Sequence, residues 1–266
     1  RRSTPSHSGT SALAKSAIDR AEGMLPPADL AVALADLATR QFEAADLDAM
    51  AESVEQLRTI VEATADPEVL FDTRRRVAIW KGDLAEARRL ALELDERTRS
   101  AGPHIRSHTL ATLAWQASAE GEWAWLRRVG AETLALVRQN EGTVFCGMAR
   151  AALMTAGIGE VREGRLDEAR ALVARAAAVS AHEESADPPL LVLLGDRSPL
   201  AAAPSGQSPH TWTEFGIACV IGGARELAEE AIARLDTMAT RGAWLAGATA
   251  AAMRDELSGA SLAGPG

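Results

Sequence analysis

Four times in this chain a short turn built on glycine or alanine opens an amphipathic segment. The turns are Ala45-Asp46-Leu47, Gly82-Asp83-Leu84, Gly121-Glu122-Trp123 and Gly164-Arg165-Leu166, and a looser fifth copy starts at Gly223. The third residues of the first four stand 37, 39 and 43 positions apart. A recurrence of roughly 34 to 45 residues is the period of stacked helix pairs, none of which can bury its apolar face alone. Between the turns, apolar residues return at three and four, as in Leu30, Leu34, Leu37 and Ala38, or Met50, Val54, Leu57 and Val61. That is the helical period, and it makes the expected fold all-α, a stack of antiparallel helix pairs.

The same pattern predicts helices over 11–23, 27–44, 47–64, 67–81, 84–99, 104–120, 123–139, 143–162, 166–181, 210–221, 224–239 and 242–257. They would form a single solenoid over 11–257. Residues 1–10 and 258–266, polar or rich in small residues, are expected to be disordered. The chain starts without Met, and the first helix has an apolar stripe with nothing before it to cover. Both suggest a piece of a longer protein that has lost an upstream repeat. Residues 185–209 break the rhythm with five prolines and the run Leu190-Leu191-Val192-Leu193-Leu194. The step from Leu166 to Arg225 is accordingly stretched to 59 residues. Two roles fit this insertion: a short helix packed on the solenoid, or a lid over its groove.

Hydrophobic residues make up 47% and charged residues 24% of the 266, the balance of a folding chain. The formal net charge of −9 argues against direct nucleic-acid binding, which rests on phosphate neutralisation. No apolar run approaches the roughly 18 residues of a membrane span, and no secretory signal is evident, so a cytoplasmic location is expected. Cys146 and Cys219 are too few for a disulfide framework and fall on apolar faces, where they read as core residues.

The segment Trp212-x2-Phe215-Gly216-x2-Cys219-x3-Gly223-x4-Ala228 resembles the W-x2-L-G-x2-Y…G…A pattern of the tetratricopeptide repeat, with Cys219 in place of the aromatic residue. Weaker copies align before the other turns: Leu110, Leu113 and Ala114; Leu153, Ala156 and Gly157; Leu34, Leu37 and Ala38. Before Gly82 the pattern departs, with Phe71 in place but Arg74 and Arg75 where apolar residues belong. The resemblance spans about residues 27–239 and implies a right-handed superhelix whose concave groove is lined by the first helix of each pair. The long period is similar to that of the C-terminal helical regions of large bacterial signalling ATPases, LuxR-type activators and cyclase-linked regulators. This implies a regulatory scaffold with a protein or peptide partner.

No catalytic constellation stands out. The sequence lacks a phosphate-binding loop and an H-E-x-x-H motif, so neither an enzyme nor a cofactor is expected. His104 and His108, four apart, could share a metal, but the sequence offers no evident third ligand, so an exposed, uncoordinated pair and no metal site are expected. Paired acids such as Glu183-Glu184 and Glu229-Glu230 read as solvated faces. The best candidate surface is the groove. Counting back from each turn places Asp72, Arg76, Ile79, His108, Trp115, Ser118, His210 and Thr213 along it, with Arg76, His108 and Trp115 as a mixed anchor. The expected role is a non-catalytic protein- or peptide-binding module. The alternatives are a sensor whose groove closes over a small molecule or peptide, with 185–209 as its lid, and self-association through the solenoid ends.

Overall fold

Glycine in the left-handed region sets the joints of this molecule. A computed structural model describes residues 7–21, 23–61, 67–140, 145–179, 187–204 and 208–259. Gly82, Gly121, Gly164 and Gly223 have φ between 69° and 85°, and Ala45 takes the same conformation at 57°. At each joint the amide after the turn residue reaches back five positions, as in Asp83 N to Ala78 O (2.8 Å) and Ala224 N to Cys219 O (2.8 Å). This closes the orphan carbonyls of the preceding helix and reverses the chain. A sixth joint of the same kind stands at Gly242, φ 91°, where Ala243 N bonds Met238 O.

Among the described residues the chain forms thirteen α-helices, six successive pairs of which meet at these joints: α1 His7–Ala21, α2 Pro27–Glu43, α3 Leu47–Val61, α4 Pro67–Trp80, α5 Leu84–Thr98, α6 Pro103–Ala119, α7 Trp123–Gln139, α8 Gly147–Arg162, α9 Leu166–Val179, α10 Pro188–Leu193, α11 Pro209–Ile221, α12 Arg225–Ala239 and α13 Trp244–Leu257. Each packs mainly on its neighbours in sequence, as expected of stacked antiparallel pairs. None of these helices is long and apolar enough to cross a membrane. The expected disorder of 1–10 is corrected in part. Helix α1 starts at His7, inside the segment expected to be disordered, while residues 1–6 lie outside the described ones. Ser258 and Gly259 close α13, and the rest of the expected C-terminal tail also lies outside.

The pairs fuse through leucine and alanine. Leu34, Leu37, Leu90, Leu94, Leu110, Leu126, Leu153 and Leu235 are all essentially inaccessible. A fully buried leucine contributes about 1.5–3 kcal/mol relative to an exposed one. Polar side chains stitch neighbouring pairs together. Arg106 on α6 donates to Asp95 on α5 and to Glu132 on α7.

The stack does not run on with two free ends. One core cluster joins Ala38, Phe42, Met50, Ile79 and Trp80 of the first two pairs to Trp212, Leu235, Ala246 and Met253 of the last helices. Helix α13 lies against α4, and Arg241 reaches the carbonyl of Ala44 (3.4 Å). A Cβ added at Gly82 would stand 2.6 Å from the Trp244 ring, so the turn after α4 sits directly on the first residue of α13. The sequence foresees the pairs but not this return.

Candidate functional site

The insertion forms a wall. Asp187 caps α10 by accepting the Leu190 amide (3.1 Å), and Pro188 and Pro189 start the helix, as proline does where no amide is needed. Leu190 is fully buried against α8, where Gly157 leaves room for it: a Cβ there would come within 2.8 Å. A 3-10 turn, Ser198–Leu200, follows. Both expectations for the insertion therefore touch the same segment: its leucines pack on the stack, and its other face looks into a cavity. Residues 185, 186 and 205–207 of the expected insertion lie outside the described ones.

That cavity holds about 550 Å³. Trp115 comes from α6, Ala151, Met154 and Thr155 from α8, Pro188 and Leu191 from α10, and His210, Glu214 and Phe215 from α11, while Pro199, Ala202 and Pro204 close one side. The volume lies in the range of small-molecule sites, and apolar walls with a few convergent polar groups are the usual construction. The polar groups are Asp187, Glu214 and His210, whose Nε2 lies 3.1 Å from Glu214 Oε1. The edge of the Trp115 ring meets His210 at a centroid distance of 6.2 Å.

The electrostatics are uneven. Asp187 is 7% exposed, and burial, reinforced by the Glu214 charge, pushes its carboxyl up to about 7 against the pull of the Leu190 amide and His210. Loss of water contacts opposes a charged His210, but Glu214 and Asp187 outweigh this and raise its pKa; its side chain keeps 46% exposure, which favours the same outcome. Two carboxyl groups thus face one imidazole in a largely apolar chamber.

A second cluster lies on α4. Asp72 accepts from Arg75 (3.0 Å), Arg76 (2.8 Å) and Thr112 of α6 (3.2 Å). Burial alone would raise the Asp72 carboxyl, but the two guanidinium groups and Thr112 overcome it and bring it to about 2. Arg75 is 3% exposed, which explains an arginine where the repeat pattern calls for an apolar residue: it enters the interior with its counter-ion.

The expected groove residues therefore have different fates. Trp115 and His210 line the cavity. Ile79 does not face a groove; it is 7% exposed in the core shared with the returning C-terminal helices, so that assignment is corrected. Arg76 is held by Asp72 and lies over the Phe42 ring (5.9 Å), and His108 turns to Cys146, whose Sγ is 3.0 Å from its Nε2. The Arg76, His108 and Trp115 anchor is thus divided among three settings. Ser118 is half-buried, and Thr213 has a buried hydroxyl with no hydrogen-bond partner among the described residues.

Cys146 also departs from expectation. Cys219 is fully buried, and burial with the Glu230 charge pushes its thiol up to about 11. Cys146 instead stands at the residue before α8, half-buried beside His104 and His108. Its place in the sequence, eight residues after Arg138, gives no sign of α6. Other residues were legible. The count that selects groove positions before Gly121 and Gly223 falls on Ala151 and Met154 before Gly164, and both line the cavity. Asp187 and Glu214 carry no such signal, because one belongs to the insertion and the other lies one position past the expected Thr213. Glu229 and Glu230 are exposed, as expected of a solvated face, and Glu183-Glu184 lie outside the described residues. No protein-family model, no curated protein and no solved structure matches this chain.

Proposed function

We propose that the chain is a non-catalytic ligand-sensing module of a larger regulatory protein, with a right-handed, tetratricopeptide-like superhelix as its frame. Its ligand is a small molecule or the end of a short peptide, with an apolar body and a cationic head. The observation that carries this reading is the cavity of about 550 Å³ under α10, with Asp187 and Glu214 converging beside Trp115, Met154 and Phe215. An ammonium or guanidinium group would take the place of the His210 imidazole at Glu214 and meet the Asp187 carboxylate as its proton leaves, and an aromatic or aliphatic body would fill the apolar walls. The net charge of −9 favours cations at longer range. A folded partner laid along an open groove fits less well, because α10 and residues 198–204 wall the cavity that holds Trp115 and His210. The groove would respond through α10, whose seating on Gly157 links the ligand to the α8 wall.

The test is a ligand-observed NMR and thermal-shift screen of arylalkylamines, with phenethylamine as the reference, against alcohols and carboxylic acids of matched size. Binding by the amines, lost or weakened about tenfold in Asp187→Asn and Glu214→Gln, is the expected outcome. Equal binding by the acids, or amine binding indifferent to both substitutions, would overturn the proposal.

A further inference from the structure

His104 and His108 stand one helical turn apart on α6, and the packing of α6 on α8 brings Cys146 to them. The ligand atoms of the three side chains all lie within 4.8 Å of one another, and His108 Nε2 is 3.0 Å from Cys146 Sγ. The two imidazole rings lie 4.6 Å apart, centre to centre. We propose that these three residues bind a borderline-soft divalent metal ion of the zinc class, and that the bound ion fastens α6 to α8.

Three features of the geometry carry this. First, the spacing suits the ion. Zinc bonds of about 2.0–2.1 Å to nitrogen and 2.3 Å to sulfur place tetrahedral neighbours roughly 3.3–3.6 Å apart, so the existing contact needs only a slight opening. Second, the donor set among the described residues is two imidazoles and a thiol, with no carboxylate. That choice disfavours magnesium and calcium and selects zinc or a soft transition metal. Third, the donors sit on fixed elements with an entry path. Cys146 stands at the first turn of α8 in extended backbone, between buried Phe145 and buried Ala149, while His104 is exposed and half-buried His108 lies between them. The Cys146 thiol would lose its proton to solvent as the sulfur–metal bond forms, leaving a fourth position for water.

The location gives the ion a purpose. His108 and Trp115 lie two turns apart on α6, and α8 leads from Cys146 to the cavity residues Ala151 and Met154. A metal at this end would brace two cavity walls without occupying the cavity. The proposal does not depend on what the cavity binds.

The experiment is a titration of the protein, free of any polyhistidine tag, with cobalt(II) as a spectroscopic substitute, followed by displacement with zinc. One equivalent of cobalt should produce a thiolate-to-metal charge-transfer band and tetrahedral ligand-field bands, and zinc should abolish them. Cys146→Ser should lack the charge-transfer band, while Cys219→Ser should keep it. His104→Ala, an exposed change that leaves the core untouched, should weaken binding by at least about tenfold, the loss that even changes behind the ligands produce. Zinc should also raise the melting temperature of the unmodified protein and not that of His104→Ala. No charge-transfer band in the unmodified protein, the same band in Cys146→Ser, or unchanged affinity in His104→Ala would each overturn the proposal.

Discussion

Asp72 shows how a charged residue can belong to the frame. It satisfies Arg75, which is 3% exposed, and it reaches Thr112 on the next pair. Asp72→Asn would leave that guanidinium buried without its counter-charge, and we expect a loss of about 3 kcal/mol in urea unfolding at neutral pH. Because the folded Asp72 sits near 2 against an ordinary 3.8, its contribution is present above 3.8 and fades as pH falls toward 2, so the variant should differ least in acid. Asp187 has the opposite sign. Its carboxyl is raised from 3.8 to about 7, so folding holds a proton that the unfolded chain releases. That contribution is full below 3.8 and is lost as pH rises to about 7; the raised His210 acts in the same direction. Melting temperatures of Asp187→Asn, which keeps a good helix cap, should therefore lose part of the downward slope between about pH 4 and 7 seen in the unmodified protein. An identical slope in both would count against the raised carboxyl.

At the scale of elements, the turn residues carried most of what could be read from the chain. A glycine that must adopt positive φ, followed by an apolar residue at the helix start, marks a joint whatever surrounds it, and all five expected turns take this conformation. The helix ends follow from the same local chemistry. Asp83 caps α5 by accepting the Glu86 amide (3.0 Å), and Pro103 opens α6. What the chain could not disclose are contacts between elements far apart in sequence. Cys146 meeting His108, Trp244 meeting Gly82 and Glu214 meeting Asp187 depend on how the pairs curve, and periodicity within one helix has no information about curvature. Two glycines separate these effects. Gly164 has φ 76° with open space around it, whereas Gly82, φ 85°, is pressed by Trp244. Gly164→Ala should cost about 1–2 kcal/mol for the left-handed backbone alone. Gly82→Ala should cost clearly more, by about 1 kcal/mol or above, because the tryptophan must also move. Equal losses in thermal and urea unfolding would mean that the return contact contributes nothing.

The whole molecule is a stack of helix pairs that curves until its last helices join the core of its first. Next to this closed core, the insertion lines one side of a cavity whose other walls are α6, α8 and α11. One outcome is a chamber in which burial and the Glu214 charge raise the Asp187 carboxyl. If a cation is what this chamber recognises, its binding must be linked to the loss of the Asp187 proton. The most direct measurement is calorimetric titration of the tightest arylalkylamine from the screen at about pH 6 and about pH 8. With the Asp187 carboxyl near 7, affinity should be about tenfold higher at the upper pH, with proton release visible as a dependence of the heat on the buffer. Affinity that is equal at the two pH values, or weaker at the upper one, would contradict recognition of a cation by Asp187 and Glu214.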